Sequence, residues 1–246
     1  MEKDTAFTVD EIKKNIQTVQ DKIASAAQKG GRTFEEVRLV VVTKTHPVDV
    51  VRKVIEAGAR LLGENYAEEG IAKKAGLTGQ NELQWHMIGH VQSRKARLVV
   101  EHYDYVHSLD SVKLANRLSG YSIEVQHNLP VLLECNASGE ETKFGFAVWE
   151  ESRWEALLPD IEQIIGLPNI KISGLMTMAP YYDNPEQARP AFRKLRQFRE
   201  YLSKKFPQTS WQELSMGMSA DYEIAIQEGA TMVRIGQAIL GSRYYC

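Results

Sequence analysis

The chain has 246 residues, of which 43% are hydrophobic and 25% charged, and its formal net charge is -2. That balance fits a globular protein with a sizeable core and speaks against a polyanion as the main partner. No run of about 18 apolar residues is present to span a bilayer, the opening Met1-Glu2-Lys3-Asp4 does not read as a signal peptide, and Cys135 and Cys246 make no disulfide framework, so a cytoplasmic location is expected.

Val9, Ile12, Ile16, Val19, Ile23 and Ala26 step by three and four, which predicts an amphipathic helix over about 9–29. Thr8 with Glu11 supplies a capping box at its start, and Gly30-Gly31 ends it. From Arg38 the chain alternates short apolar runs with helical stretches. Strands are predicted at 38–43, 60–63, 84–88, 104–108, 130–135, 171–176, 212–215 and 231–235. Helices are predicted near 47–57, 65–75, 92–101, 110–119, 147–165, 185–205, 219–228 and 237–242. Pro47 suits a first helical turn, and Gly58 suits the residue just past a helix end. Gly76 to Asn81, Gly120 to Leu129 and Ala179 to Asn184 read as loops.

Eight βα units in a chain of this length predict an α/β fold, a (β/α)8 TIM barrel at about 38–246 with the additional N-terminal helix, all in one domain spanning 1–246. A doubly wound open sheet is the alternative. In a barrel the active face is the C-terminal end of the strands, and polar segments follow each strand there. Strand one delivers Lys44, strand two Gly63-Glu64-Asn65-Tyr66, strand three His86 and Gly89-His90, strand four Ser108 and Asp110, and strand five Asn136-Ala137-Ser138. The last three deliver Met176-Thr177-Met178, Ser215-Met216-Gly217-Met218-Ser219 and Arg234-Ile235-Gly236-Gln237.

Lys44 stands where an apolar strand stops, and a lysine held there can lower its pKa and condense with a carbonyl. Loops after strands seven and eight of a barrel commonly bind phosphate through backbone amides. Ser219 is placed to cap the next helix, and Gly236 opens the last one. Asp221 and Glu223 would repel a phosphate unless they face away. Arg234 lies between Met232-Val233 and Ile235 in a buried strand, so it needs a partner: an acceptor-rich ligand, or a carboxylate such as Glu64. Met176, Met178, Met216 and Met218 read as packing at the barrel mouth. His86 and His90 straddle a strand end without a zinc-protease pattern, so no metal is expected. Arg94, Lys95 and Arg97 form one local basic patch, read as a solvated helix face and not a nucleic-acid site.

Taken together, Thr43-Lys44, Gly63-Glu64-Asn65-Tyr66, Trp85-His86-Met87-Ile88-Gly89, Leu214-Ser215-Met216-Gly217-Met218-Ser219 and Val233-Arg234-Ile235-Gly236 resemble the pyridoxal-phosphate homeostasis protein family, the barrel group related to the alanine racemase N-terminal domain (fold type III). The resemblance runs from about Arg38 to Tyr244. It implies that Lys44 carries pyridoxal 5'-phosphate as a lysine aldimine, that Ser215, Gly217, Ser219, Gly236 and Gln237 surround the phosphate, that Asn65 neighbours the ring, and that Arg234 faces the pyridine nitrogen. Gln237 stands where several relatives are expected to have a small hydroxyl residue, which leaves a backbone contact in place there. The resemblance also implies a role in intracellular cofactor homeostasis without strong catalysis, with PLP-requiring apoenzymes as functional partners and no membrane partner.

An amino-acid racemase of the alanine racemase-like class is the alternative, with Lys44 as one base and His86 or His90 as the other. The C-terminal β-domain of alanine racemase is expected to be absent, a monomer is expected by analogy, and the terminal pair Tyr244-Tyr245 is not expected to reach the active face. A cofactor-free Schiff-base aldolase is a third reading, which predicts a colourless protein.

Overall fold

A computed structural model describes residues 7–77 and 82–241. Tyr244, Tyr245, Cys246 and the Thr78–Asn81 part of a predicted loop lie outside the described residues. The helix Val9–Lys29 (α1) opens on the expected capping box: Thr8 Oγ1 accepts from the Glu11 amide at 3.2 Å, and Glu11 Oε2 accepts from the Thr8 amide at 2.8 Å. Its stripe of Ile12, Ile16, Val19, Ile23 and Ala26 is buried, each isoleucine contributing about 1.5–3 kcal/mol.

The strand Arg38–Val42 (β1) leads to Val48–Glu56 (α2), and Leu61–Glu64 (β2) to Ala67–Ala75 (α3). Gln84–Met87 (β3) precedes Ala96–His102 (α4), and Tyr105–Leu109 (β4) precedes Val112–Glu124 (α5). Leu129–Asn136 (β5) is followed by the short Phe146–Ala147 (β6) and Trp154–Ile165 (α6). Ile170–Met176 (β7) leads to Arg189–Lys205 (α7), Glu213–Ser215 (β8) to Tyr222–Gln227 (α8), and Met232–Ile235 (β9) to Gln237–Leu240 (α9).

All pairings are parallel, and the sheet closes because β4 pairs with β5 while β1 pairs with β9. The result is the predicted eight-stranded barrel, not an open doubly wound sheet, and β6 lies outside the ring as a parallel neighbour of β5.

Four local readings need correction. Pro47 is the N-cap of α2, with an extended backbone, and not its first helical residue. The helix predicted from 147 starts at Trp154, because Phe146 and Ala147 pair with Cys135 and Asn136 of β5. The loop predicted from Gly120 is helical through Glu124; Ser119 Oγ donates to the Pro168 carbonyl at 2.6 Å, and this packing outweighs the low helix propensity of glycine. Finally, α8 begins at Tyr222 with Asp221 as its N-cap, so Ser219 does not cap it.

The barrel interior is layered. Val40, Tyr105, Leu132, Met176 and Met232 form a buried apolar cluster contributed by β1, β4, β5, β7 and β9. Two residues further along β4, β5 and β9, on the same face of each pleat, stand His107, Glu134 and Arg234, and all three are buried. With His86 from β3 and Ser215 from β8 they make a polar layer between the apolar floor and the mouth.

Candidate functional site

Lys44 follows β1 at the mouth and is partly buried. The backbone turns sharply there, since Thr45 adopts a left-handed conformation with φ 67°. Asn65, after β2, is partly buried in the same rim. Gly89 lies against it so closely that a Cβ at that position would sit 2.3 Å from the Asn65 carbonyl oxygen, which only glycine avoids.

On the opposite side Ser215 and Gly217 are buried, while Ser219 and Gly236 are partly buried and Gln237 is exposed. The two loops expected to converge do so: the Ala238 amide donates to Ser219 Oγ at 3.2 Å. Gly217 takes φ 95°, and a Cβ there would sit 2.7 Å from the Ala225 Cβ, so the loop packs directly on α8. The expectation that both following carboxylates face away holds for one of them. Glu223 turns out to Lys22 at 3.6 Å, whereas Asp221 is buried, with Oδ1 accepting from the Met218 amide at 2.6 Å. Burial pushes the Asp221 carboxyl above its ordinary range.

Arg234 crosses the polar layer. Its Nη1 donates to Ser215 Oγ and its Nη2 donates to the Thr177 carbonyl at 2.9 Å. Glu64 is not its partner: that carboxylate accepts from Lys73 Nζ at 2.7 Å and Thr43 Oγ1 at 2.6 Å. Burial pulls the Arg234 guanidinium down to about 10, which leaves it charged at neutral pH. No carboxylate lies within ion-pair distance of it among the described residues, so a positive charge stands inside the barrel with neutral partners.

Behind Ser215 runs a chain of histidines that no sequence motif marks. His107 Nδ1 lies 2.9 Å from Ser215 Oγ, and His107 Nε2 lies 2.8 Å from His86 Nδ1. Burial lowers the His86 pKa to about 3 and holds His107 well below its ordinary value, so both rings are neutral. His86 also stacks on Tyr105, 5.2 Å between centroids. His90, by contrast, leaves the interior to pair with Asp110 at 3.0 Å and stack on Phe144. The two histidines predicted as alternative bases therefore occupy different environments.

Glu134 completes the layer; its Oε2 is buried without a hydrogen-bond partner, and burial pushes its carboxyl up to about 7. The basic patch on α4 and the turn before it is accounted for: Lys95 pairs with Glu68 at 2.7 Å, Arg97 with Glu101 at 2.8 Å, and Arg94 donates to Gln92. Met176 and Met216 are buried packing, while Met178 reaches the surface.

A cluster of a half-buried lysine, converging loops of small and hydroxyl residues, and an interior arginine that makes no ion pair among the described residues suits an anionic carbonyl compound. The alanine racemase N-terminal domain family matches residues 8–244. Pyridoxal phosphate homeostasis proteins match nearly end to end: that of Vibrio cholerae is 40% identical over 237 residues, 95% of this chain and 97% of its own length. The Escherichia coli protein is 38% identical over 243 residues, 96% and 99% of the two chains. The chain belongs to the pyridoxal phosphate homeostasis protein family.

A solved structure in the same family, PipY of Synechococcus elongatus with PLP bound, superposes with a TM-score of 0.80 at 34% identity, covering 94% of this chain and 100% of that one. Alanine racemase of Clostridium difficile shares the fold, with a TM-score of 0.68 at 17% identity, and this chain covers 58% of that longer one.

Proposed function

We propose that the protein holds pyridoxal 5'-phosphate on Lys44 and acts in its intracellular homeostasis. The observation that carries this reading is the presence of Lys44 at the mouth together with Arg234 in the interior, which makes no ion pair with a carboxylate among the described residues. The membership reported above and the PLP-bound PipY structure support it. The group brings an aldehyde that condenses reversibly with a lysine amine, with loss of water.

Each residue then has a role. Lys44 supplies the amine. Ser215, Gly217, Ser219, Gly236 and Gln237 are assigned to the phosphate side, where Ser219 Oγ and the Ala238 amide already join the two loops. Asn65 is assigned to the ring's neighbourhood. Arg234 is assigned to the pyridine nitrogen; a guanidinium has only donors and stays protonated, so the nitrogen facing it must accept. An unprotonated ring is a poor electron sink, which argues for holding the group rather than for catalysis. We assign the barrel and α1 to one binding domain, working as a cytoplasmic monomer that serves PLP-requiring apoenzymes. Among the described residues no helix is long and apolar enough to cross a membrane.

The test is an absorbance spectrum of the purified protein before and after borohydride, followed by mapping of the reduced adduct. A yellow protein labelled at Lys44 is expected; a colourless protein, or label elsewhere, rejects the assignment. A racemisation assay over a panel of amino acids, with Lys44→Ala as control, addresses the alternative: turnover in the ordinary enzymatic range, lost in the variant, would replace the carrier reading with a racemase.

A further inference from the structure

Lys44 is flanked on both sides by residues tied to one ion cluster. Lys73, on α3, is 5% exposed, and its Nζ donates at 2.7 Å to the Thr43 carbonyl, at 2.7 Å to Glu64 Oε1 and lies 2.7 Å from Glu69 Oε1. Thr43 Oγ1 donates to the same Glu64 oxygen at 2.6 Å. On the other side of Lys44, the Thr45 amide donates to Glu69 Oε1, and Thr45 is the residue held at φ 67°. A left-handed conformation is unfavourable for a β-branched residue and persists only where its surroundings hold it. The ammonium of Lys73 gathers two carboxylates that would otherwise repel each other; Lys73 itself holds the backbone before Lys44 at the Thr43 carbonyl, Glu64 holds the Thr43 hydroxyl, and Glu69 holds the backbone after Lys44 at the Thr45 amide.

We infer that Glu64, Lys73 and Glu69 are positioning residues for Lys44, fixing the turn from which its amine meets an aldehyde. The inference deepens the proposed function and rests on it for the identity of the amine. Glu69 is the member best suited to a test, because its side chain is 25% exposed and its removal leaves the buried Glu64–Lys73 pair intact. Releasing Thr45 from Glu69 lets the turn relax toward ordinary backbone, and a preference of this kind is worth about tenfold in an equilibrium. The loss belongs to bond formation at Lys44, not to recognition of the phosphate on the far side of the mouth.

The experiment compares wild type, Glu69→Ala and Glu69→Gln with two probes: pyridoxal 5'-phosphate, read by borohydride labelling at Lys44, and pyridoxine 5'-phosphate, an alcohol that binds without condensing, read by calorimetry. Glu69→Ala is expected to need about ten times more aldehyde for half-labelling, with binding of the alcohol unchanged. Glu69→Gln, which keeps an oxygen for the Thr45 amide, is expected to recover most of the loss. Labelling by Glu69→Ala at the wild-type concentration, or equal weakening of both probes, overturns the inference. Hydrogen exchange at the Thr45 amide, measured without any ligand, separates the two layers of the argument. It should accelerate in Glu69→Ala, and an unchanged rate defeats the positioning role even if Lys44 labels as proposed. Wild type that never labels at Lys44 instead defeats the assignment of the amine itself.

Discussion

His107 Nδ1 lies 2.9 Å from Ser215 Oγ, and that same hydroxyl accepts from Arg234. An arginine can only donate, so the oxygen between them is committed as an acceptor toward the cation. The chain continues to His86, and its neutrality is a condition of the fold: an imidazolium here would meet Arg234 and Arg38 in a buried space.

Acid should therefore unfold the barrel through its histidines. The folded pKa of His86 lies below its unfolded value of 6.5, at about 3, so the unfolded state binds more protons in between. Stability contributed by this group is complete above about pH 6.5 and is lost as pH falls toward 3. Between pH 7 and 4.5 the loss is roughly 2–3 kcal/mol. His86→Phe keeps a ring against Tyr105, and urea titrations should show a shallower decline for the variant over that range. Parallel declines for the two proteins would contradict the assignment.

Glu134 acts in the opposite sense. Its folded pKa is raised from 4.5 to about 7, so the folded state binds more protons between these values and stability falls as pH rises through them. Asp110 adds to the upward push, and Arg234 opposes it. Glu134→Gln removes the ionisation, and at pH 8 it should be more stable than wild type by about 3 kcal/mol, an order-of-magnitude figure. At pH 4.5 the two should melt together, which calorimetry at both pH values checks.

Breaking the Glu64–Lys73 pair should be costly. Their side chains are 0% and 6% exposed, so Lys73→Met strands a buried carboxylate and is expected to cost about 3–5 kcal/mol in denaturant titrations. The double variant Glu64→Gln with Lys73→Met should regain much of that. If the single variant costs as little as a surface substitution, the pair is not the buried link described.

Gly89→Ala probes the rim directly. The new methyl would fall 2.3 Å from the Asn65 carbonyl oxygen and 2.7 Å from its Cα, both backbone atoms that cannot swing aside. A cost of about 1–3 kcal/mol is expected from such crowding. Binding of pyridoxal 5'-phosphate should weaken as Asn65 moves, and paired melting and binding curves test both effects.

The barrel was legible in the sequence because its strands are short apolar runs such as Leu39-Val40-Val41-Val42, separated by amphipathic stretches whose period could not be mistaken. The two residues of β6 carried no such signal. Phe146 and Val148 are buried, yet they merged with the pattern of the following helix. Lys44 and the loops of Ser215–Ser219 and Gly236–Gln237 were legible as strand ends, whereas the groups that orient them were not. His107 and Glu134 sit within apolar runs, where polarity in phase with the inward face is the one clue to them. Lys73 looked like any helical lysine, since only the fold brings it under β1 and β2. Ser219 carries the serine signal of a cap, but α8 starts two residues later than that signal implies, and Asp221 stands at its N-cap position.

The grip of α1 on the far end of the chain sets a timetable for biosynthesis. Asn15 Nδ2 donates to the Ile239 carbonyl at 2.9 Å, across 224 positions, and α1 packs along α8 and α9. At about 5–20 residues per second, a ribosome would need roughly 10–45 s to deliver that partner after Asn15 has emerged. Throughout that interval the helix can pack on α2 and on the turn at Phe34–Glu36, but the part of its apolar side that meets α8 and α9 has nothing native to cover it, so the nascent polypeptide presents that strip to chaperones until those two helices have been made.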